Sequence, residues 1–149
     1  MTEQEREQQL PQQAIPAQPE GMVGLVLVSH STRLAEGAAE LARQLGGEAP
    51  VEPAGGLPGG GLGTSIELIE QAVRAADRGA GVVILADLGS AVLTVKLLLD
   101  DATDLPGPIV LADAPLVEGA VSAAVAAASG ADLDGVRAAA EEARSFHKL

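Results

Sequence analysis

The sequence predicts an α/β fold: a doubly wound, mainly parallel sheet with helices on both faces, layered α/β/α. Two observations carry this. Three short runs, Val23 to Val28, Gly81 to Asp87 and Pro108 to Asp113, are apolar without alternation up to their last residues, the pattern of strands buried on both faces of a parallel sheet. Each run is followed by a polar turn and then by apolar residues at helical spacing. Strand and helix therefore alternate, which implies right-handed crossovers covering both faces. In the common strand order 2-1-3-4, strands 1 and 3 are neighbours whose connections leave in opposite directions. Ligands of such sheets bind at that switch point, outside the carboxyl ends of the strands. With 149 residues, one domain is expected.

Residues 1–21, rich in Gln, Glu and Pro, offer almost nothing to a core and read as a disordered tail before a domain spanning residues 22–149. Met22 directly precedes the first strand, so the tail is also compatible with a later translation start. After the strand, Leu34, Ala38, Leu41 and Leu45 mark the apolar stripe of a helix over Arg33 to Leu45, and Gly46-Gly47 stop it. A weak strand over Ala49 to Ala54 contains Pro50 and Pro53, which suit a sheet edge. The Gly-rich stretch Gly55 to Gly63 reads as a flexible connector; it lacks the Gly-Lys-Ser/Thr ending of a P-loop and the spacing of a dinucleotide fingerprint. Thr64 to Glu67 has the form of a capping box with Thr64 as the cap. It opens a helix to about Arg78, with Ile66, Ile69, Val73 and Ala76 facing the core and Gly79 as the stop. After the strand ending at Asp87, Ser90 is a candidate cap for a helix over Ala91 to Asp100. After Asp113, Pro115 suits the first turn of an Ala-rich helix ending near Ser129-Gly130, and Asp132 caps a last helix over Leu133 to Ser145.

Composition removes several classes of function. One Phe and no Tyr or Trp leave no stacking platform for bases or sugars. A net charge of -12 opposes binding to a phosphate backbone and would steer a partner with a basic face. Without Cys there is neither a disulfide framework nor a thiolate metal site. No apolar stretch is long enough to span a bilayer and no secretion signal is visible, so a cytoplasmic protein is expected.

His30, Asp87 and Asp113 all fall at strand ends on one sheet edge. An Asp in that position often caps the next turn, and this is the favoured reading of Asp113. His30 lies in Ser29-His30-Ser31-Thr32, between a buried strand and a helix N-terminus that can face an anion. Across the switch point, the Asp87 carboxylate can accept the proton of one ring nitrogen. That fixes the tautomer and leaves the other nitrogen's lone pair as a nucleophile able to accept a phosphoryl group. The carboxylate also stabilises the positive ring formed during transfer. His147, near the C-terminus, reads as a mobile end.

The stretch GLVLVSHSTRLAEGAAELARQL, the Gly-rich loop with GTS, and VVILADLGSAVLT together resemble the DhaM family. These are the phosphotransfer subunits of phosphoenolpyruvate-dependent dihydroxyacetone kinases, which belong with the mannose-type enzyme IIA domains of the sugar phosphotransferase system. The resemblance covers about Met22 to Ser145. It implies a homodimer in which His30 is the phosphorylated residue, Asp87 its carboxylate partner, and Ser31, Thr32, Gly63, Thr64, Gly89 and Ser90 line the phosphoryl group. The implied donor is the histidine phosphocarrier protein, HPr. The implied acceptor is ADP on the DhaL subunit, with dihydroxyacetone held on DhaK. No metal or diffusible cofactor is implied, since the phosphoryl group travels covalently on His30. Some relatives carry fused phosphocarrier domains, whereas this sequence ends at Leu149, so separate carriers are expected. The tail before Met22 is not part of the pattern.

Two other readings stand beside this one. A phosphohistidine module of the same type could serve regulation or sugar transport, because fold and site do not fix the partner. A metal chelatase of the sirohydrochlorin type also has a His at the end of its first strand. It needs further ligands, and only His147 is on offer, so this reading is disfavoured.

Overall fold

The computed structural model describes residues 21–101 and 104–149; the expected tail, up to residue 20, lies outside the described residues. Among the described residues, four strands alternate with four α-helices and a fifth helix follows: β1 (Gly24–Ser29), α1 (Thr32–Gly46), β2 (Val51–Gly55), α2 (Ile66–Ala76), β3 (Val82–Ala86), α3 (Gly89–Asp101), β4 (Ile109–Leu111), α4 (Leu116–Ala128) and α5 (Leu133–Glu142), the last followed by a 3₁₀ turn over Ala143–Ser145. The sheet has the order β2-β1-β3-β4, and all three pairings are parallel. β1 and β3 are central and buried throughout, as their unalternating apolar sequences require.

The two sheet faces form separate cores. Val23, Leu25 and Leu27 of the β1 run and Val83 and Leu85 of β3 meet the alanines of α1 and α4 together with Val136 of α5. Val26, Val28, Val82 and Ile84 point the other way, onto Ile69 and Val73 of α2 and Val95 and Leu98 of α3. Successive strand residues alternate between these cores, so each apolar run is shared by two helix layers.

β2 is an edge strand with guarded polar groups. Pro50 and Gly56 bond toward β1, so by alternation Val51, Pro53 and Gly55 face outward. The Val51 carbonyl is taken by the guanidinium of Arg43 and the Gly55 carbonyl by the Thr32 hydroxyl, while Pro53 has no N–H. Side-chain capping and proline both discourage strand addition at an edge.

Several local expectations need correction. The buried stripe of α1 is Ala35, Ala38, Ala39, Ala42 and Gly46, and Leu34, Leu41 and Leu45 are exposed. Small residues prevail because α1 packs closely on α4: a Cβ added at Gly46 would overlap Ala124. On α2, Ser65 is the cap, accepting from the Leu68 N–H at 3.3 Å, and the Thr64 hydroxyl turns to Thr94 instead. Ile66 is outside the α2 core stripe, which is Ile69, Ala72, Val73 and Ala76. Ser90 lies inside the first turn of α3, which begins at Gly89. Pro115 occupies the N-cap position of α4. β4 is only three residues long, and the last helix tightens to 3₁₀ from Ala143.

Candidate functional site

The switch point falls between β1 and β3, and it brings His30 and Asp87 into contact. Residues Val28 and Ala86 are register partners, so the chain leaves both strands at the same height. α1 then departs to one face of the sheet and α3 to the other. The Asp87 carboxylate lies in the gap and receives four hydrogen bonds. Its Oδ2 accepts from the Ser29 hydroxyl at 2.9 Å and the His30 main-chain N–H at 3.0 Å. Its Oδ1 accepts from His30 Nδ1–H at 3.0 Å and the Leu88 N–H at 2.7 Å. Burial pushes the carboxyl pKa up, but the donated bonds from His30 N–H, the Ser29 hydroxyl, the His30 ring and Leu88 N–H outweigh it. The group lies below its ordinary value of 3.8.

An ionised carboxylate has no proton to give, so in the neutral imidazole Nδ1 is the donor and Nε2 carries the lone pair. Nε2 is 2.6 Å from the Ser90 hydroxyl, which therefore donates to it. The two partners fix the ring in one tautomer and one orientation, and they leave the nucleophilic nitrogen on the outer side. The side chains are 24% exposed for His30 and 10% for Asp87, so the ring is reachable while its partner is sheltered.

The remaining residues divide by whether their donors are engaged. Ser31 caps α1, accepting from the Leu34 N–H at 3.2 Å, and its own N–H goes to Ser29 Oγ at 3.0 Å. The Thr32 hydroxyl donates to the Gly55 carbonyl at 2.9 Å. The Gly63 N–H donates to the His30 carbonyl at 2.9 Å, tying the Gly-rich loop to the histidine. Thr94 donates to the Ser90 carbonyl at 3.2 Å, so its 2.8 Å contact with Thr64 uses the Thr64 proton. These bonds build the frame. Among the described residues, by contrast, no acceptor takes the N–H of Gly89 or Ser90, and both lie at the α3 N-terminus, where unpaired N–H groups and the helix dipole favour an anion.

Asp113 does not join the site. It pairs with Arg144 at 2.6 Å on the surface. His147 lies in the exposed C-terminal segment. Among the described residues, no three of His, Cys, Asp and Glu are grouped to hold a metal ion, and no helix is long and apolar enough to cross a membrane.

Two contributors were not anticipated. Ser29, fully buried, links Asp87 to the α1 turn; its position as the last residue of an apolar strand was the available signal. Thr94 lies four residues after Ser90, the spacing at which a hydroxyl bonds back to a helix carbonyl.

Fold and site together define a class: a doubly wound α/β domain that presents a carboxylate-oriented nucleophilic imidazole at its switch point. Residues 24–137 match the family described as PTS system fructose IIA component, and the chain belongs to it. Among curated relatives, the phosphoryl donor subunit DhaM of PEP-dependent dihydroxyacetone kinase from Escherichia coli K12 is 40% identical over 120 residues, which cover 77% of this chain and 25% of that protein. A DhaM of PEP-dependent dihydroxyacetone kinase 2 from Listeria innocua is 36% identical over 106 residues, 70% of this chain and 85% of the relative. This chain thus spans about a quarter of the length of the first and most of the second. A crystal structure described as that of the unknown function protein EF1359 superimposes with a TM-score of 0.74 at 33% identity, covering 86% of this chain and 98% of the other.

Proposed function

We propose that this chain is the phosphohistidine carrier, and so a phosphotransferase subunit, of a phosphoenolpyruvate-dependent dihydroxyacetone kinase. It takes a phosphoryl group from HPr onto His30 Nε2 and passes it to ADP bound on DhaL, for the phosphorylation of dihydroxyacetone held by DhaK. The observation that carries this reading is the ring held through Nδ1 by a four-bonded Asp87, with Nε2 turned outward, in a chain related to named phosphoryl donor subunits.

The steps balance on the residues present. The Nε2 lone pair attacks phosphorus, a P–N bond forms to His30, and the P–N bond to the donor's ring breaks, with that ring keeping the electron pair. His30 becomes a phosphoimidazolium whose positive charge faces Asp87. The Ser90 hydroxyl, released from Nε2, turns to a phosphoryl oxygen, and the Gly89 and Ser90 N–H groups serve the others. Ser31, Thr32, Gly63 and Thr64 hold the frame around them. In the onward step a β-phosphate oxygen of ADP attacks, the P–Nε2 bond breaks, and His30 returns to its neutral, Nδ1-protonated form. The phosphoryl group travels covalently, so no further cofactor is required.

The partners place this chemistry in the cytoplasm. The chain acts as a homodimer in this reading. In support, nothing among the described residues pairs with the outer edge of β4, which carries Ile109 and Leu111 and no charge, whereas β2 is guarded. A monomeric mass by light scattering at working concentration would remove the dimer.

The test of function is reconstitution with phosphoenolpyruvate, enzyme I, HPr, DhaK and DhaL. Formation of dihydroxyacetone phosphate that requires this chain is expected. A chain that becomes phosphorylated but leaves DhaL-bound ADP unchanged would instead be a regulatory or sugar-transport module.

A further inference from the structure

Two walls flank His30 Nε2, and a single hydrogen bond joins them. One wall is the end of the Gly-rich loop, where the Gly63 N–H donates to the His30 carbonyl at 2.9 Å and Thr64 follows in the chain. The other is the first turn of α3, whose Ser90 hydroxyl donates to Nε2 at 2.6 Å. The Thr64 hydroxyl donates across to Thr94 Oγ1 at 2.8 Å, and Thr94 in turn donates to the Ser90 carbonyl at 3.2 Å. Among the described residues, no other hydrogen bond runs from the loop or α2 to α3. Thr94 follows Ser90 by four residues, so it shares that face of the helix but stands about 6 Å further along it. It is half-buried, whereas Ser90 is exposed. Its one proton is given to the Ser90 carbonyl, which leaves no donor for a phosphoryl group.

The loop needs a hold of this kind. Six of the nine residues from Gly55 to Gly63 are glycine, and Gly56, Gly60, Gly61 and Gly63 have positive φ. Glycine loses more conformational freedom on ordering than any other residue. The place of the loop's end therefore depends on the bonds that pin it, Gly63 to His30 on one side and Thr64 to Thr94 on the other.

We infer that Thr94 is a positioning residue for phosphoryl transfer: it latches the end of the Gly-rich loop to the helix that carries Ser90, and so fixes the two walls of the Nε2 site against each other. This rests on the proposed carrier function and adds a residue that acts only through Ser90 and Thr64. The latch matters most once transfer has begun. The new P–N bond displaces the Ser90 hydroxyl from Nε2, and the direct tie between that side chain and the ring is lost. The Thr64–Thr94 bond remains, and it keeps the Gly89 and Ser90 N–H groups aimed at the phosphoryl oxygens.

The experiment loads His30 from phosphoramidate, a donor that needs no protein partner, and follows the gain of mass with time. Every protein carries His147→Gln, so that His30 is the one histidine left. Thr94→Val and Thr64→Val each remove one hydroxyl at nearly constant volume, the double variant removes both, and Thr94→Ser keeps the bond. Exchange of the Gly63 amide hydrogen, read by NMR, reports the hold on the loop directly. Each single Val variant should load about fivefold more slowly at saturating phosphoramidate, the worth of one hydrogen bond, and should exchange the Gly63 amide about fivefold faster. The double variant should be no slower than the slower single, because the two hydroxyls act as one bond. Thr94→Ser should return both readings to within about twofold of the parent. Loading by Thr94→Val at the parent rate would overturn the inference. So would a double variant slowed by the product of the two single effects, slower loading with Gly63 exchange unchanged, or a Thr94→Ser as slow as Thr94→Val. If the parent itself gained no phosphoryl group, the carrier function would fall and the latch with it; if the parent loaded and the Val variants matched it, only the latch would fall.

Discussion

In the proposed function the chemistry turns on Asp87, because each of its oxygens already accepts from two donors. In Asp87→Asn, whichever way the amide is turned, its NH₂ faces two donors. That should cost about 1–3 kcal/mol of stability and release the tautomer that keeps Nε2 basic. Transfer to His30 should slow on the order of 10²-fold or more, measured by rapid quench; a rate equal to wild type would reduce Asp87 to a turn residue. The same carboxylate sets an acid limit. Its folded-state pKa is below the ordinary 3.8, so its contribution to stability is present above that value. It is lost as the pH falls through the lower folded-state pKa. Denaturant unfolding between about pH 5 and pH 2 should therefore show a steeper acid loss for wild type than for Asp87→Asn; parallel curves would contradict this. His30 and Asp87 were legible in the sequence because a polar residue ending an unbroken apolar strand has one place to go in this architecture. Ser29 and Thr94 were not, since a hydroxyl's partner is decided by whatever the fold sets opposite it.

At the scale of elements, strands were easier to read than helix faces. Leu34, Leu41 and Leu45 have the spacing of a core stripe, yet the alanines beside them are buried. Apolar spacing identifies a helix, but which of two adjacent stripes faces inward depends on how closely the next helix comes. Here α4 comes close enough to require glycine at position 46. Two substitutions on α1 should consequently have opposite signs. Gly46→Ala forces the helices apart and should destabilise by about 1–3 kcal/mol. Gly37→Ala meets nothing within 4 Å and should stabilise by about 0.5–1 kcal/mol through better helix propensity. Thermal or urea unfolding would read both, and a neutral Gly46→Ala would show that the α1–α4 contact is loose. The capping box at Thr64 failed for a related reason: two adjacent hydroxyl residues could each cap α2, and Thr94 decided the matter by claiming one of them.

For the whole molecule, the strand order followed from few assumptions, because parallel strands, right-handed crossovers and short connections leave few topologies. That order brings residues 30 and 87 together without any contact local in sequence. Charge also acts at this scale. With a net charge of -12 on the chain, the proposed transfer from HPr should slow several-fold as ionic strength rises from about 0.05 to 0.5 M. Stopped-flow rates insensitive to salt would argue against a steered encounter.

The central claim is that His30 carries the phosphoryl group, and intact mass spectrometry tests it most directly. Wild type and His30→Ala would be incubated with phosphoenolpyruvate, enzyme I and HPr, and also with phosphoramidate. The account predicts a gain of one acid-labile phosphoryl group in wild type and none in His30→Ala. A gain that survives in His30→Ala, or no gain in wild type with either donor, would contradict it.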